Sequence, residues 1–540
     1  MRLRLASRQV SVTSLLIILV VAITADLVVV LDFGSPQEPD SYSYRFLLDE
    51  DGYAQVTINY TSDKRSGSSW VVVPKFLQLS NSTRNGRILN FSYSPTGEKV
   101  NVEYYFYRVL DFSFQSEGHF ELILKFNFTS GAMIVEPSGI FYSPQIGFKP
   151  DSIGTAEVIF PSSFQTKRAV AAPRYLPSFT NSNYVRFDDL SSNALRLQVE
   201  FEVTDTKTNP LLIKEGIFTF KTVPRYENQA REILSLFNRT YDNLVYIFNT
   251  TLEEVSVEFF IPDFEYLMSI GGYIPFTGEE LGNIHVNIFF SRYVTGYTET
   301  IALHELIHHF LWRLGISPQN LLWFHEGMAQ YMSIETTTGI GYEGASMMRQ
   351  ELENGVSQLG DMRNLGFLLS WTPSHQPADW GALYAGAYAV VSRLAQPYGG
   401  LEYYARFSRL ANGRHLEDNN ELAYCLSLAA NTTVVPALGG WGLDVADLYQ
   451  YSTLITEAER SIAGIDPYLQ PYKLLAERLY TWALINAEQG QVDIANASLS
   501  AVILIAELAP LLTLLTISAC LFAAILYALK RKGLFSDQPL

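Results

Sequence analysis

The chain has 540 residues, too many for one ordinary core, so two or three domains are expected. Hydrophobic residues make up 48% of it and aromatic residues 13%, which excludes general disorder. The formal charge of -17, with no long basic patch between the termini, argues against a nucleic-acid partner, because phosphate binding needs concentrated positive charge.

Arg2, Arg4 and Arg8 precede an uncharged run at 10–25, so residues 1–35 read as a signal peptide with Ala25 at a cleavage point, or as an N-terminal membrane anchor. Residues 36–222 read as an all-β, sandwich-like domain. Segments 53–60, 101–109, 121–126 and 194–203 alternate or are rich in branched and aromatic residues, and Gly, Ser, Asn and Pro clusters between them mark turns. Eight Asn-x-Ser/Thr sequons, beginning at Asn59, Asn81, Asn90, Asn127, Asn238, Asn249, Asn431 and Asn496, are compatible with a glycosylated exported surface.

The period changes near Val223, and residues 223–410 read as an α+β domain. Ile233, Leu236, Phe237, Tyr241, Leu244, Val245 and Phe248 form a helical stripe. Strands are expected at 255–261 and 284–290, then a helix over 298–314 with Thr300 capping near its start. A helix over 382–394 carries Tyr384 and Tyr388. Residues 411–507 read as a helical region, and 508–529 supply 22 uncharged residues, enough to cross a bilayer. Lys530-Arg531-Lys532 follow, which puts the 530–540 tail on the cytoplasmic side and the large central region outside. With Cys520 inside the span, Cys425 has no disulfide partner in that region.

His304 and His308 lie four residues apart, one helical turn, so their imidazoles can converge on one Zn2+ per chain. Glu305 sits beside that face, placed to handle the proton of a metal-bound water. A third ligand is needed, and Glu326, 18 positions after His308, can return from an opposing helix. Gly327 permits close helix approach, and Gln330, one turn on, can support a ligand by a hydrogen bond. His309 and His325 are expected to be local structural or surface residues.

The segments His304-Glu305-Leu306-Ile307-His308 and Trp323-Phe-His-Glu-Gly-Met-Ala-Gln-Tyr331 resemble the gluzincin, or thermolysin-like, zinc peptidases, especially aminopeptidase-like members. The resemblance covers about residues 223–394. It implies a thermolysin-like α+β domain, with His304, His308 and Glu326 as metal ligands and Glu305 as general base. It also implies a downstream tyrosine stabilising the tetrahedral intermediate, Tyr384 being the better match and Tyr388 the alternative. A substrate-bordering strand before the active-site helix would involve Ile284, His285, Val286 and Asn287, with Gly271 and Gly272 nearby. The family's amine-recognising glutamate has no counterpart in Gly271-Gly272-Tyr273-Ile274-Pro275, although Glu279 or Glu280 follow. A metzincin would need Gly and His where this chain has Leu311 and Leu314.

The expected protein is therefore multidomain: the β domain, the zinc peptidase domain, the helical region and a transmembrane helix. Its expected partners are a peptide or protein substrate and the lipid bilayer. The alternative is a surface-binding or adhesion protein on a peptidase-like scaffold. Residue patterns leave the oligomeric state open.

Overall fold

The computed structural model describes residues 38–531, except 76, 105, 130, 173–174, 191–194, 205–209, 264–265, 268, 277–280 and 293. The leader or anchor call at 1–35, Glu279, Glu280 and most of the 530–540 tail lie outside the described residues. The chain divides into two compact units, Met1–Lys207 and Thr208–Leu540.

In the first unit, alternation builds the sheets. Ser41–Leu48 turns Tyr42, Tyr44, Phe46 and Leu48 inward, and Ala54–Ser62 does the same with Ala54, Val56, Ile58 and Tyr60. An eight-stranded sheet runs in the order Phe179–Thr180, Tyr184–Leu190, Ile153–Ile159, Ser41–Leu48, Ala54–Ser62, Tyr107–Phe128, Ser66–Pro74, with Ser80–Ser94 also paired to Tyr107–Phe128. A four-stranded sheet holds Ala132–Val135, Ser138–Tyr142, Arg196–Val203 and Phe164–Ala172. The two sheets share one aromatic-rich core, in which Phe46 of the first meets Phe141 of the second at 5.4 Å. The strand expected at 101–109 begins only at Tyr107 and runs on to Phe128, absorbing the one expected at 121–126. Asn101, at a φ of 60°, ends a short helix, and Glu103 receives the Gly97 amide, so this stretch turns.

The second unit contains a five-stranded sheet in the order Leu211–Glu215, Phe218–Thr222, Val255–Phe260, Ile284–Asn287, Gly272–Tyr273. Its first hairpin lies on the β-domain side of the boundary read at 222. Phe218 instead packs on Phe237 and Tyr241 of the Glu227–Phe248 helix, and Phe218–Thr222 runs parallel to Val255–Phe260. The hairpin thus belongs to the unit that carries the histidines. The strand expected at 284–290 stops at Asn287, and Ile288–Arg292 winds into a 3-10 helix.

Three helices follow that position the site: Tyr297–Arg313, Leu322–Ile340 and Trp380–Ala395. Gly296 caps the first, and Thr300, one turn inside, donates its hydroxyl back to the Gly296 carbonyl and contacts Thr337 at 3.0 Å. A Cβ on Gly327 would meet the Ala387 carbonyl at 2.7 Å, so glycine lets Leu322–Ile340 lie close against Trp380–Ala395.

The C-terminal helices gather around Ala458, Ile465, Ala476, Ala483, Ala495, Leu499 and Val502. Their last member, Val492–Arg531, is continuous through Pro510 and is long and apolar enough to cross a membrane. Asn496 is buried on this helix with its Nδ2 donating to the Asp447 carbonyl at 3.2 Å, so that sequon sits inside the fold rather than on a glycan-bearing surface.

Candidate metal centre

Leu303, Leu306, Ile307 and Phe310 are fully buried on Tyr297–Arg313 and fix the helix in the core, which leaves His304 and His308 facing Leu322–Ile340. There Glu326 closes a triangle. His304 Nε2 stands 3.1 Å from Glu326 Oε2 and 3.1 Å from His308 Nε2, and His308 Nε2 stands 3.7 Å from Glu326 Oε2. Zinc ligands bonded at 2.0–2.1 Å on a tetrahedron stand about 3.3 Å from one another. The donor set and its spacing fit the ion. The buried triad matches a gluzincin-like zinc-binding motif.

Charge coupling follows from this closeness. Burial opposes ionisation of Glu326, but His308 and His304 overcome it and hold its carboxyl down at about 2. Burial drives the His308 imidazole down to about 3. For His304, burial also disfavours the cation, but the hydrogen bond and charge of Glu326 win and its pKa is raised. The contact between His304 Nε2 and Glu326 Oε2 spans the place a cation would take.

His325 completes one side. Its Nε2 lies 2.9 Å from the Ile316 carbonyl, which can only accept, so Nε2 carries the proton. Its Nδ1, 3.2 Å from His308 Nδ1, is then the acceptor, and His308 must donate from Nδ1. That leaves the lone pair of His308 Nε2 aimed at Glu326 and His304. Burial keeps His325 neutral by lowering its pKa to about 4. Of the two roles expected for His325, its burial excludes the surface one, and the local structural one takes the form of this contact with His308. On the other side, His304 Nδ1 and Gln330 Oε1 are both buried without a partner in the structure. His309 is half-buried, and its pKa falls to about 4 through desolvation.

Glu305 is buried and held up at about 8, first by burial and then by the Glu326 charge, with His304 opposing. Gly272 lies against it: a Cβ there would stand 2.7 Å from Glu305 Oε1 and 2.9 Å from the His285 carbonyl. Tyr384 comes to the same place from Trp380–Ala395. Its phenol pKa is raised by burial, then by the charges of Glu326 and Glu305 and a hydrogen bond toward Glu326. Trp371 and Trp380 pack on its ring, at 5.5 Å and 6.1 Å. Tyr388 faces a different group, Arg349, Glu335 and Glu353.

The Ile284–Asn287 strand is interior to its sheet, paired to Val255–Phe260 on one side and Gly272–Tyr273 on the other. Ile284 and Val286 are core residues, and Asn287 donates to the carbonyls of Leu267 and Ile270. His285 stacks on Tyr273 at 4.5 Å and contacts Glu258 at 3.2 Å. These four therefore support the outer strand instead of forming the sheet edge. Gly271 accepts from the Asn287 amide, so in an antiparallel ladder the backbone groups of Gly272 face away from that partner.

No family model matches the chain, and no curated protein matches it. Among solved structures it is similar to yeast LTA4 hydrolase, with a TM-score of 0.32 and 11% identity over 78% of this chain and 72% of that one, a likeness too slight to carry an argument.

Proposed function

We propose that the protein is a membrane-anchored zinc peptidase that hydrolyses peptide bonds outside the cytoplasm. The observation that carries this reading is the donor triangle of His304, His308 and Glu326, with Glu305 and Tyr384 on its rim. Zinc bound there would supply Lewis acidity, acidifying a water and polarising the substrate carbonyl, and its charge would offset the burial that holds Glu305 protonated. Glu305 accepts the proton of the attacking water and returns it to the departing amine. The Tyr384 phenol donates a hydrogen bond to the carbonyl oxygen as negative charge develops on it. Gly272 offers its backbone N–H and C=O to an extended peptide, adding it as a further strand beside the base. His325 supports His308. The cluster of Lys530, Arg531 and Lys532 after the apolar run favours a cytoplasmic tail and hence a catalytic unit on the other side.

Zinc content and peptide-library cleavage, measured on the full chain beside Glu305→Gln, test the reading. Both proteins are expected to carry about one zinc, with cleavage confined to the wild type. Mapping the new product ends separates aminopeptidase from endopeptidase action. A wild type that neither holds zinc nor cleaves better than the variant would end the proposal.

A further inference from the structure

The helical hairpin that leads into the long apolar helix has a second apolar surface. Gln470–Glu488 and Val492–Arg531 run antiparallel across a tight turn at 489–491, with Ala476 and Ala483 buried in the same cluster as Ala495, Leu499 and Val502. The inner face of Gln470–Glu488 is thus small and closely packed. Its outer face is not polar, however: Leu474, Leu475, Trp482 and Ile485 are all about half exposed, and Tyr468, in the 3-10 turn just before the helix, is 93% exposed. Of this set, Tyr468, Leu474 and Leu475 lie at the end of the hairpin away from the 489–491 turn, and exposed apolar side chains grouped in this way mark a contact surface.

The register locates that surface. Both helices advance about 1.5 Å per residue, so pairing Ala483 with Ala495 and Ala476 with Val502 carries Leu469 to the level of Ala509. Ala509 is fully buried although Leu508, Leu511 and Leu512 around it are exposed, and the Pro467–Leu469 turn contacts this helix. Glu507 is the last charge before the apolar run. Tyr468 therefore stands at the level where the membrane-crossing stretch begins, and Leu474 and Leu475 lie one to two turns above it.

We propose that the Pro467–Leu469 turn and the first turns of Gln470–Glu488 rest in the bilayer interface, with Tyr468, Leu474 and Leu475 entering the boundary between headgroups and acyl chains. This inference rests on the reading of Val492–Arg531 as a membrane anchor. An aromatic ring with one polar atom suits the interface. Lys473 and Arg478, on neighbouring turns, are placed to reach lipid phosphates along their aliphatic stems. A second contact of this kind restrains rotation and tilt, which a single helix alone leaves free.

The test is spin-label depth measurement on the full chain in phosphatidylcholine nanodiscs, in a Cys520→Ser background, with labels placed singly by Tyr468→Cys, Ile517→Cys and Gln489→Cys. Cys425 is buried, and a protein with no added cysteine reports any labelling there. The expected result is a graded shift from a polar relaxant toward oxygen: the label at 489 aqueous, that at 517 deep, that at 468 between them. A label at 468 as aqueous as that at 489, with 517 still deep, overturns the interfacial contact and leaves the anchor standing. Shielding of 468 from both relaxants also overturns it, in favour of a second protein copy on this face. An aqueous label at 517 removes both the anchor and the contact.

Discussion

His308 turns its Nδ1 to the Nδ1 of His325 at 3.2 Å, and the ring beyond is itself tied to the Ile316 carbonyl at 2.9 Å. A carbonyl that can only accept thus determines, two bonds away, which nitrogen of His308 is free for a cation. Replacing His325 with Phe keeps the ring and removes the acceptor. The expected outcome is a zinc affinity lower by about 10- to 100-fold, read by competition with a chromophoric chelator. His325→Asn restores an acceptor and should recover part of the loss. An unchanged affinity in a folded Phe variant would show that the contact is incidental.

Glu305 links the site to pH. Its folded pKa of about 8 lies above the ordinary 4.5, so the neutral carboxyl is the form that burial tolerates. The stability this group contributes is complete below pH 4.5 and is lost as pH rises through 8, an effect on the order of a few kcal/mol in the zinc-free protein. Thermal melts after chelation should therefore fall between pH 5 and pH 8 in the wild type and much less in Glu305→Gln. Parallel curves for the two proteins would contradict the assignment.

Gly272→Ala should cost activity without costing metal. The added carbon would lie 2.7 Å from Glu305 Oε1 and 2.8 Å from its Cγ, so the carboxylate must move or the strand must retreat. Zinc content is expected to stay near wild type while kcat/KM falls by about 100-fold or more, as for comparable displacements of a catalytic group. Metal analysis and steady-state kinetics on one preparation check both halves.

Tyr384 and Tyr388, one turn apart on Trp380–Ala395, should separate cleanly. Tyr384→Phe is expected to lower kcat by about 100- to 1,000-fold, the usual consequence of removing one oxyanion donor, with zinc binding retained. Tyr388→Phe breaks contacts around Arg349 and Glu335 and should show mainly in the melting temperature. Equal kinetic losses in the two variants would argue against a specific role for Tyr384.

The parts of the site that reside within one helix turn were legible from residue spacing. His304 and His308 share a face because the helix repeats every 3.6 residues, and Glu326 begins a recognisable second segment. What depended on pairing between distant segments was not. The hairpin Leu211–Glu215 with Phe218–Thr222 alternates like any strand pair, and only its contact with Phe237 and Tyr241 assigns it to the second unit. The outer strand Gly272–Tyr273 has two residues and a glycine, which carries almost no β signal, so sequence places Gly271 and Gly272 near the substrate strand without showing that they form its outer neighbour. The contact of His325 with His308 depends on how two helices face each other, which residue spacing does not carry, although a step of about 100° around the helix sets His325 apart from Glu326.

Val492–Arg531 belongs to the packed hairpin at one end and to the apolar run at the other, with no linker between them. Proteolytic removal of this helix from the rest of the chain would therefore meet an obstacle, since proteases cut extended chain and the segment 492–507 is helical. Such a cut would first require the helix to unwind somewhere in 492–507, because Pro510, where the helix lacks one backbone donor, already lies inside the apolar run.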